Sequence, residues 1–146
     1  MQHLKRLPLL AHQLIPPAFQ TRAPTLKMVK IALAGATSGI GLAFRQQLDE
    51  HPTHEYITLV RQRNGDDAKA VVVDYTSIEA LEETLRTHSI HTVISSLSIA
   101  DEASGLAQLN LIKSASQAPC VKRFLPSEYG GDYKEEYDSI EAVFFK

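Results

Sequence analysis

Lys30-Ile31-Ala32-Leu33-Ala34-Gly35-Ala36-Thr37-Ser38-Gly39-Ile40-Gly41 is the stretch on which the reading of this chain turns. Its first five residues read as a strand, of which Ile31-Ala32-Leu33-Ala34 is the apolar run. The glycines after it open a helical pattern over 40–50 that stops ahead of Pro52. In such a strand, turn and helix, Gly35 permits the tight turn, Gly39 lets the backbone approach a pyrophosphate, and Gly41 lets the helix pack closely on the strand. Unpaired amides at the helix N-terminus, together with the helix dipole, then receive the anion. Gly35, Ala36, Thr37, Ser38, Gly39, Ile40 and Gly41 are therefore the candidate phosphate-binding turn of a dinucleotide site. The competing reading is a glycine-rich turn with no ligand, and the placement directly after an apolar strand argues against it.

Working outward, short apolar runs alternate with helical patterns, as in parallel strands joined by crossover helices. The expected strands are 30–34, 56–60, 70–73, 92–95 and 121–125. Ile57-Thr58-Leu59-Val60 and Val71-Val72-Val73 do not alternate, which suits burial on both faces of a parallel sheet. Thr76-Ser77-Ile78-Glu79 has the spacing of a capping box, and Ile78, Leu81 and Leu85 then recur at helical spacing. Another helix is expected over 102–117, with Ala103, Leu106, Ala107, Leu111 and Ala115 toward the sheet and Pro119 beyond its end. Only residues 61–69 separate the second and third strands, fewer than the dozen or so that a parallel crossover usually takes. Asn64-Gly65 would suit a type I′ hairpin there. The βαβ alternation on either side favours a shortened parallel crossover instead. The fold class is thus α/β, a Rossmann-like doubly wound parallel sheet.

The spacing G-x-x-x-G-x-G from Gly35 to Gly41 resembles the short-chain dehydrogenase/reductase superfamily. Val121-Lys122-Arg123-Phe124-Leu125-Pro126-Ser127-Glu128-Tyr129-Gly130 is similar to the segment that follows the fifth strand in its NmrA-like and isoflavone-reductase-like branch. With Leu59-Val60-Arg61 and Val93-Ile94-Ser95, the resemblance extends from Met28 to about Tyr133. It implies a nicotinamide-binding Rossmann domain with strand order 3-2-1-4-5, usually selective for NADPH, that transfers hydride to a small organic substrate. It also admits a non-catalytic NmrA-like sensor that passes the cofactor's redox state to a regulatory protein partner. Family members continue with another strand and most of the substrate pocket, so the resemblance implies a sheet incomplete at its C-terminal side. Strand five would then be an open edge, and an inactive truncated fragment is a third reading.

Cofactor choice can be argued from charge. Twenty residues after Gly41, where NAD enzymes place an acid on the ribose, stands Arg61, followed by Arg63. A guanidinium there pairs with the 2′-phosphate of NADP and offers the ribose of NAD nothing comparable. The resemblance gives the matching arginine that role, while Arg63 reads equally as a solvated loop charge. Asp74 either accepts a hydrogen bond from the adenine amino group or caps the turn ahead of the next helix. Ser95 and Ser96 end the fourth strand, beside the expected pyrophosphate and nicotinamide path. Ser127 and Tyr129 stand at the carboxyl edge of the fifth strand, where open α/β sheets bind ligands.

The superfamily's Tyr-x-x-x-Lys pair, a proton donor or acceptor tuned by the lysine, is not found. Stepping by four from Tyr129 meets Tyr133, Tyr137 and Glu141. The isoflavone-reductase-like branch also lacks the pair, and the resemblance implies a lysine in the helix after the 121–130 segment. Lys146 is the candidate for it, and Lys134 reads as a surface charge.

The whole chain of 146 residues is 44% hydrophobic and 22% charged, with a formal charge of -2. That suits one domain large enough to hold a core unaided. Neither the charge balance nor any apolar run suggests a nucleic-acid surface or a membrane span. Residues 1–27 carry Lys5, Arg6, Arg22 and Lys27 without one acid, so the remaining 11 bases face all 17 acids. Pro8, Pro16, Pro17 and Pro24 also fall in this leader, and the domain is expected over 28–146. The leader reads as a disordered extension or as upstream sequence before a start at Met28, in a cytoplasmic protein. A mitochondrial transit peptide is the alternative, against which stand the lack of serine and only two arginines. The lone Cys120 reads as a small buried residue, and the six histidines show no metal-ligand spacing.

Overall fold

A computed structural model describes residues 27–37 and 39–129. The leader up to residue 26, Ser38, and residues 130–146 with Lys134 and Lys146 lie outside the described residues. The elements follow in the expected order: β1 (Lys30–Ala34), α1 (Gly39–Glu50), β2 (Glu55–Val60), β3 (Ala70–Val72), α2 (Ile78–Thr87), β4 (Thr92–Ser95), α3 (Glu102–Gln117) and β5 (Arg123–Leu125). Every strand pairing is parallel, and the sheet runs β3-β2-β1-β4-β5.

Strand β1 lies at the centre of this order, and Ile31, Ala32, Leu33 and Ala34 are all buried. Ala32, Ala34, Leu59 and Val93 form one face of the sheet and meet Leu81 and Leu85 of α2 and Leu111 and Ala115 of α3 in a single cluster. Helix α1 lies on the opposite face. Its Asp49 Oδ1 accepts from the Tyr56 hydroxyl at 2.7 Å, and Tyr56 alternates with the core-facing Ile57 and Leu59 along β2.

The short connection between β2 and β3 is a parallel crossover and not a hairpin, with Thr58 opposite Ala70 and Val60 opposite Val72. Gly65, at φ +70°, turns the chain inside it. Strand β3 ends at Val72, one residue earlier than expected, although the Val73 N–H still donates to the Val60 carbonyl at 2.9 Å. Strand β5 begins at Arg123, because the Val121 N–H turns back to Ala118 O at 3.1 Å before the chain joins β4.

Two local expectations need correction. The N-cap of α2 is Ser77, whose hydroxyl accepts from the Ala80 N–H at 3.1 Å, and Thr76 does not cap the helix. Thr76 is already held by Asp74 Oδ1, which accepts both its N–H at 2.8 Å and its hydroxyl at 2.7 Å. In α3, Ala107, Leu111 and Ala115 are buried as expected, but Ala103 and Leu106 are exposed. The helix is rotated because Gln108, Asn110 and Ser114 share its buried face, each with a partner. Asn110 Nδ2, for example, donates to Tyr75 O at 3.0 Å. Among the described residues, no helix is long and apolar enough to cross a membrane.

Candidate functional site

The turn after β1 and the carboxyl ends of β2 and β4 enclose a cleft of about 610 Å³. Its position is the switch point of the sheet, where connections leave β1 and β4 in opposite directions and a crevice must open. Gly35, Ala36 and Thr37 line it from the turn, Arg61 from the end of β2, and Ser96 from the end of β4.

Glycine is required in this turn for two different reasons. At Gly35, φ is +78°, and a Cβ would stand 2.5 Å from the Ser96 carbonyl oxygen, so the ends of β1 and β4 close together only without a side chain. At Gly41, buried in α1, a Cβ would collide with the Gly35 carbonyl and the Ser96 hydroxyl. Gly39 differs from both, since at φ +54° its Cβ position meets nothing within 4 Å. The helix that starts there has no acidic side chain in its first turn. Among the described residues, no carboxylate of this first turn therefore competes for the positive end of the helix dipole, which fits an anion. Ile40 is exposed and, like Gly39 and Gly41, does not line the cleft.

Arg61 lies between this cleft and a second one of about 750 Å³, lining both. Its guanidinium carbon sits 5.8 Å from the Tyr75 ring centroid, within cation–π reach. Tyr75 is buried and donates its hydroxyl to Leu59 O at 3.1 Å, and burial pushes its phenol well above the ordinary range. Arg63 instead donates to Ala70 O at 2.9 Å, so its charge secures the β2–β3 turn.

Asp74 lines the second cleft, with its carboxyl held below the ordinary 3.8 by the two bonds from Thr76. Asp101, the N-cap of α3, lines the same cleft and is held low by the Ser104 amide and hydroxyl. Ser96 lines the first cleft and donates its hydroxyl to Ala34 O at 2.6 Å. Ser95 is not brought there: it is fully buried and donates to Gln108 Oε1 at 2.8 Å. The Ser127 N–H donates to the same Gln108 oxygen at 3.0 Å and reaches neither cleft. Tyr129, packed edge-on to Phe44 with centroids 5.5 Å apart, is also outside both, and partial burial raises its phenol.

Reading the sequence did not single out Arg45, Asp67, Tyr75 or Gln108. Arg45 and Asp67 line the first cleft and pair at 2.9 Å. The signal for Arg45 was its position four residues past Gly41, which returns it to the same helix face. Nothing in the sequence distinguishes Gln108 from a surface glutamine.

A 3-2-1-4-5 parallel sheet with a glycine turn and a cleft at the switch point defines a Rossmann-like α/β domain. No family model matches the chain. Among curated proteins it is 40% identical over 115 residues to oxidoreductase BOA1 of Botryotinia fuckeliana, an overlap of 75% of this chain and 38% of that protein. To oxidoreductase swnN of Metarhizium robertsii it is 36% identical over 122 residues, 80% of this chain and 36% of the relative. Among solved structures, the leucoanthocyanidin reductase–NADPH complex from Vitis vinifera superposes with a TM-score of 0.56 at 34% identity, over 70% of this chain and 35% of that one. The pinoresinol-lariciresinol and phenylcoumaran benzylic ether reductases give a TM-score of 0.63 at 22% identity, over 82% of this chain and 43% of theirs, a likeness of fold alone. The chain is thus similar to curated oxidoreductases and to solved reductases of the isoflavone-reductase-like, NmrA-like family. The chain spans 38% and 36% of the length of the two curated relatives.

Proposed function

We propose that this chain, from Met28 onward, is the NADP-binding part of a reductase that passes hydride from NADPH to a small organic substrate. The observation that carries the reading is Arg61. It stands at the end of β2, on the rim shared by both clefts, seated against Tyr75, with no acid beside it in Val60-Arg61-Gln62. A guanidinium in that place matches a 2′-phosphate by paired charge-assisted hydrogen bonds. The solved leucoanthocyanidin reductase complex with NADPH supports the same cofactor.

The nicotinamide supplies the hydride when bound, and the protein binds, orients and screens it. In this reading the 35–41 turn and the N-terminus of α1 take the pyrophosphate, where the open Cβ position at Gly39 leaves room for it. Thr37 and Ser96 flank its path. The Asp74 carboxylate, half used by Thr76 and lining the second cleft, would accept a hydrogen bond from the adenine amino group. Ser95 and Ser127 act on the site only through Gln108, which ties the end of β4 and the chain after β5 to α3. Lys146 is the proposed proton carrier.

Calorimetric titration of the full chain with NADPH and NADH tests the reading. NADPH is expected to bind more tightly, and Arg61→Ala to weaken it about tenfold or more while leaving NADH nearly unchanged, as loss of a charge-assisted contact requires. Equal affinity for the two nucleotides, or binding of neither by a folded chain, would sink it.

A further inference from the structure

The connection between β2 and β3 is too short for the helix that usually covers a parallel crossover. It nevertheless supplies Arg61, Asn64 and Asp67 to the cleft wall. Two ion pairs fasten it to α1. Arg45 Nη1 donates to Asp67 Oδ2 at 2.9 Å, and Lys69 Nζ donates to Asp49 Oδ1 at 2.6 Å. Arg45 and Asp49 are one helical turn apart and share a face of α1. The other oxygen of Asp67 accepts the Lys69 N–H at 3.0 Å, so one carboxylate both stiffens the turn and grips the helix. Lys69 Nζ also lies 3.9 Å from the Tyr56 ring centroid. The signs are ordered: cation then anion along α1 meet anion then cation along the turn, so a slip of register would bring like charges together.

Resting on the NADPH reading above, we propose that this double ion pair is the positioning device of cofactor discrimination. Helix α1 begins at the phosphate turn, and the clasp makes it the ruler against which the 61–69 turn, and Arg61 at its head, is set. Arg45, Asp49, Asp67 and Lys69 are positioning residues, and Arg61 is the group that meets the phosphate.

The test uses the full chain carrying Arg45→Gln, Asp67→Asn, or the swapped pair Arg45→Asp with Asp67→Arg. NADPH and NADH titrations are read beside amide hydrogen exchange of Lys69 and Ala70, whose N–H groups close the turn onto Asp67. Each single variant is expected to weaken NADPH by about three- to fivefold and leave NADH unchanged, the scale of a partly exposed pair. Turn amides should exchange faster by a similar factor while β1 and β4 keep their protection, and the swapped pair, which remakes the ion pair without the Asp67 bond to the Lys69 N–H, should restore NADPH affinity and recover part of the slow exchange. A swap that restores slow exchange but not NADPH affinity means Arg45 touches the phosphate itself, which overturns the positioning role. Unchanged turn exchange in the single variants overturns the clasp whatever the cofactor does. A wild-type chain that takes up neither nucleotide overturns the NADPH reading and the discriminating role with it, and the exchange measurement still decides whether the clasp exists.

Discussion

Tyr75 shows how one residue can serve packing and site together. Its ring is buried beneath Arg61, its hydroxyl reaches Leu59 O, and its own carbonyl accepts from Asn110 of α3. Arg61 is thereby seated on a surface tied to β2 and α3 at once. Tyr75→Phe keeps the aromatic face and loses one hydrogen bond, so it is expected to cost about 1 kcal/mol of stability and leave the NADPH preference intact. Tyr75→Leu removes the face. A cation–π contact of about 0.5–1 kcal/mol then predicts a two- to fivefold loss of NADPH affinity with no matching loss for NADH. Equal preference in the Phe and Leu variants, measured by titration, would deny the ring this part.

At the scale of elements, α2 carries contrasting ends. Its N-terminus is capped by the Ser77 hydroxyl, and its C-terminus closes with Ser89 in the left-handed region at φ +52°. There the Ile90 N–H donates to Leu85 O and the Ser89 N–H to Arg86 O, both at 2.9 Å, while Leu85 and Ile90 are fully buried. That is the bonding of a Schellman stop with serine where glycine is preferred. Opposite effects follow in urea unfolding. Ser77→Ala is expected to lower stability by about 1 kcal/mol. Ser89→Gly is expected to raise it by up to about 1 kcal/mol, because the Cβ penalty disappears. The helix on the sheet's other face depends more on polar ties, since within α1 only Gly41 is buried.

Across the whole molecule, those ties make stability depend on acid. Bonds from Lys69 and Tyr56 hold the Asp49 carboxyl below the ordinary 3.8. With the folded value depressed, the unfolded chain binds the proton first, so the contribution is complete above the unfolded value and is lost as pH falls through the folded one. The advantage of wild type over Asp49→Asn, measured by urea unfolding, is therefore expected to shrink as the pH falls below about 5. Its size stays under about 1 kcal/mol because both partners are roughly half exposed. A difference independent of pH would show that the carboxylate's charge plays no part.

The order of elements, the parallel sheet and the glycine turn after β1 were legible in the sequence, because each rests on local facts. Apolar runs at 30–34 and 92–95 have few ways to be buried, and the glycines at 35 and 41 sit where backbone geometry admits no side chain. The parallel sense of β2 and β3 followed from the alternation around them, against the local pull of Asn64-Gly65 toward a hairpin. What only the tertiary structure decided depends on residues far apart in the chain. Ser95 was expected at the site and is buried instead, because Gln108, thirteen residues on, turns inward to meet it. Leu106 was expected inward and is exposed, because Gln108, Asn110 and Ser114 occupy the buried face of α3 with their hydrogen bonds satisfied. The grip of Arg45 on Asp67 spans a strand and two turns, and periodicity cannot show it. Sequence pattern records how each segment meets water, whereas the partner of a buried polar group is settled only when the segments are assembled.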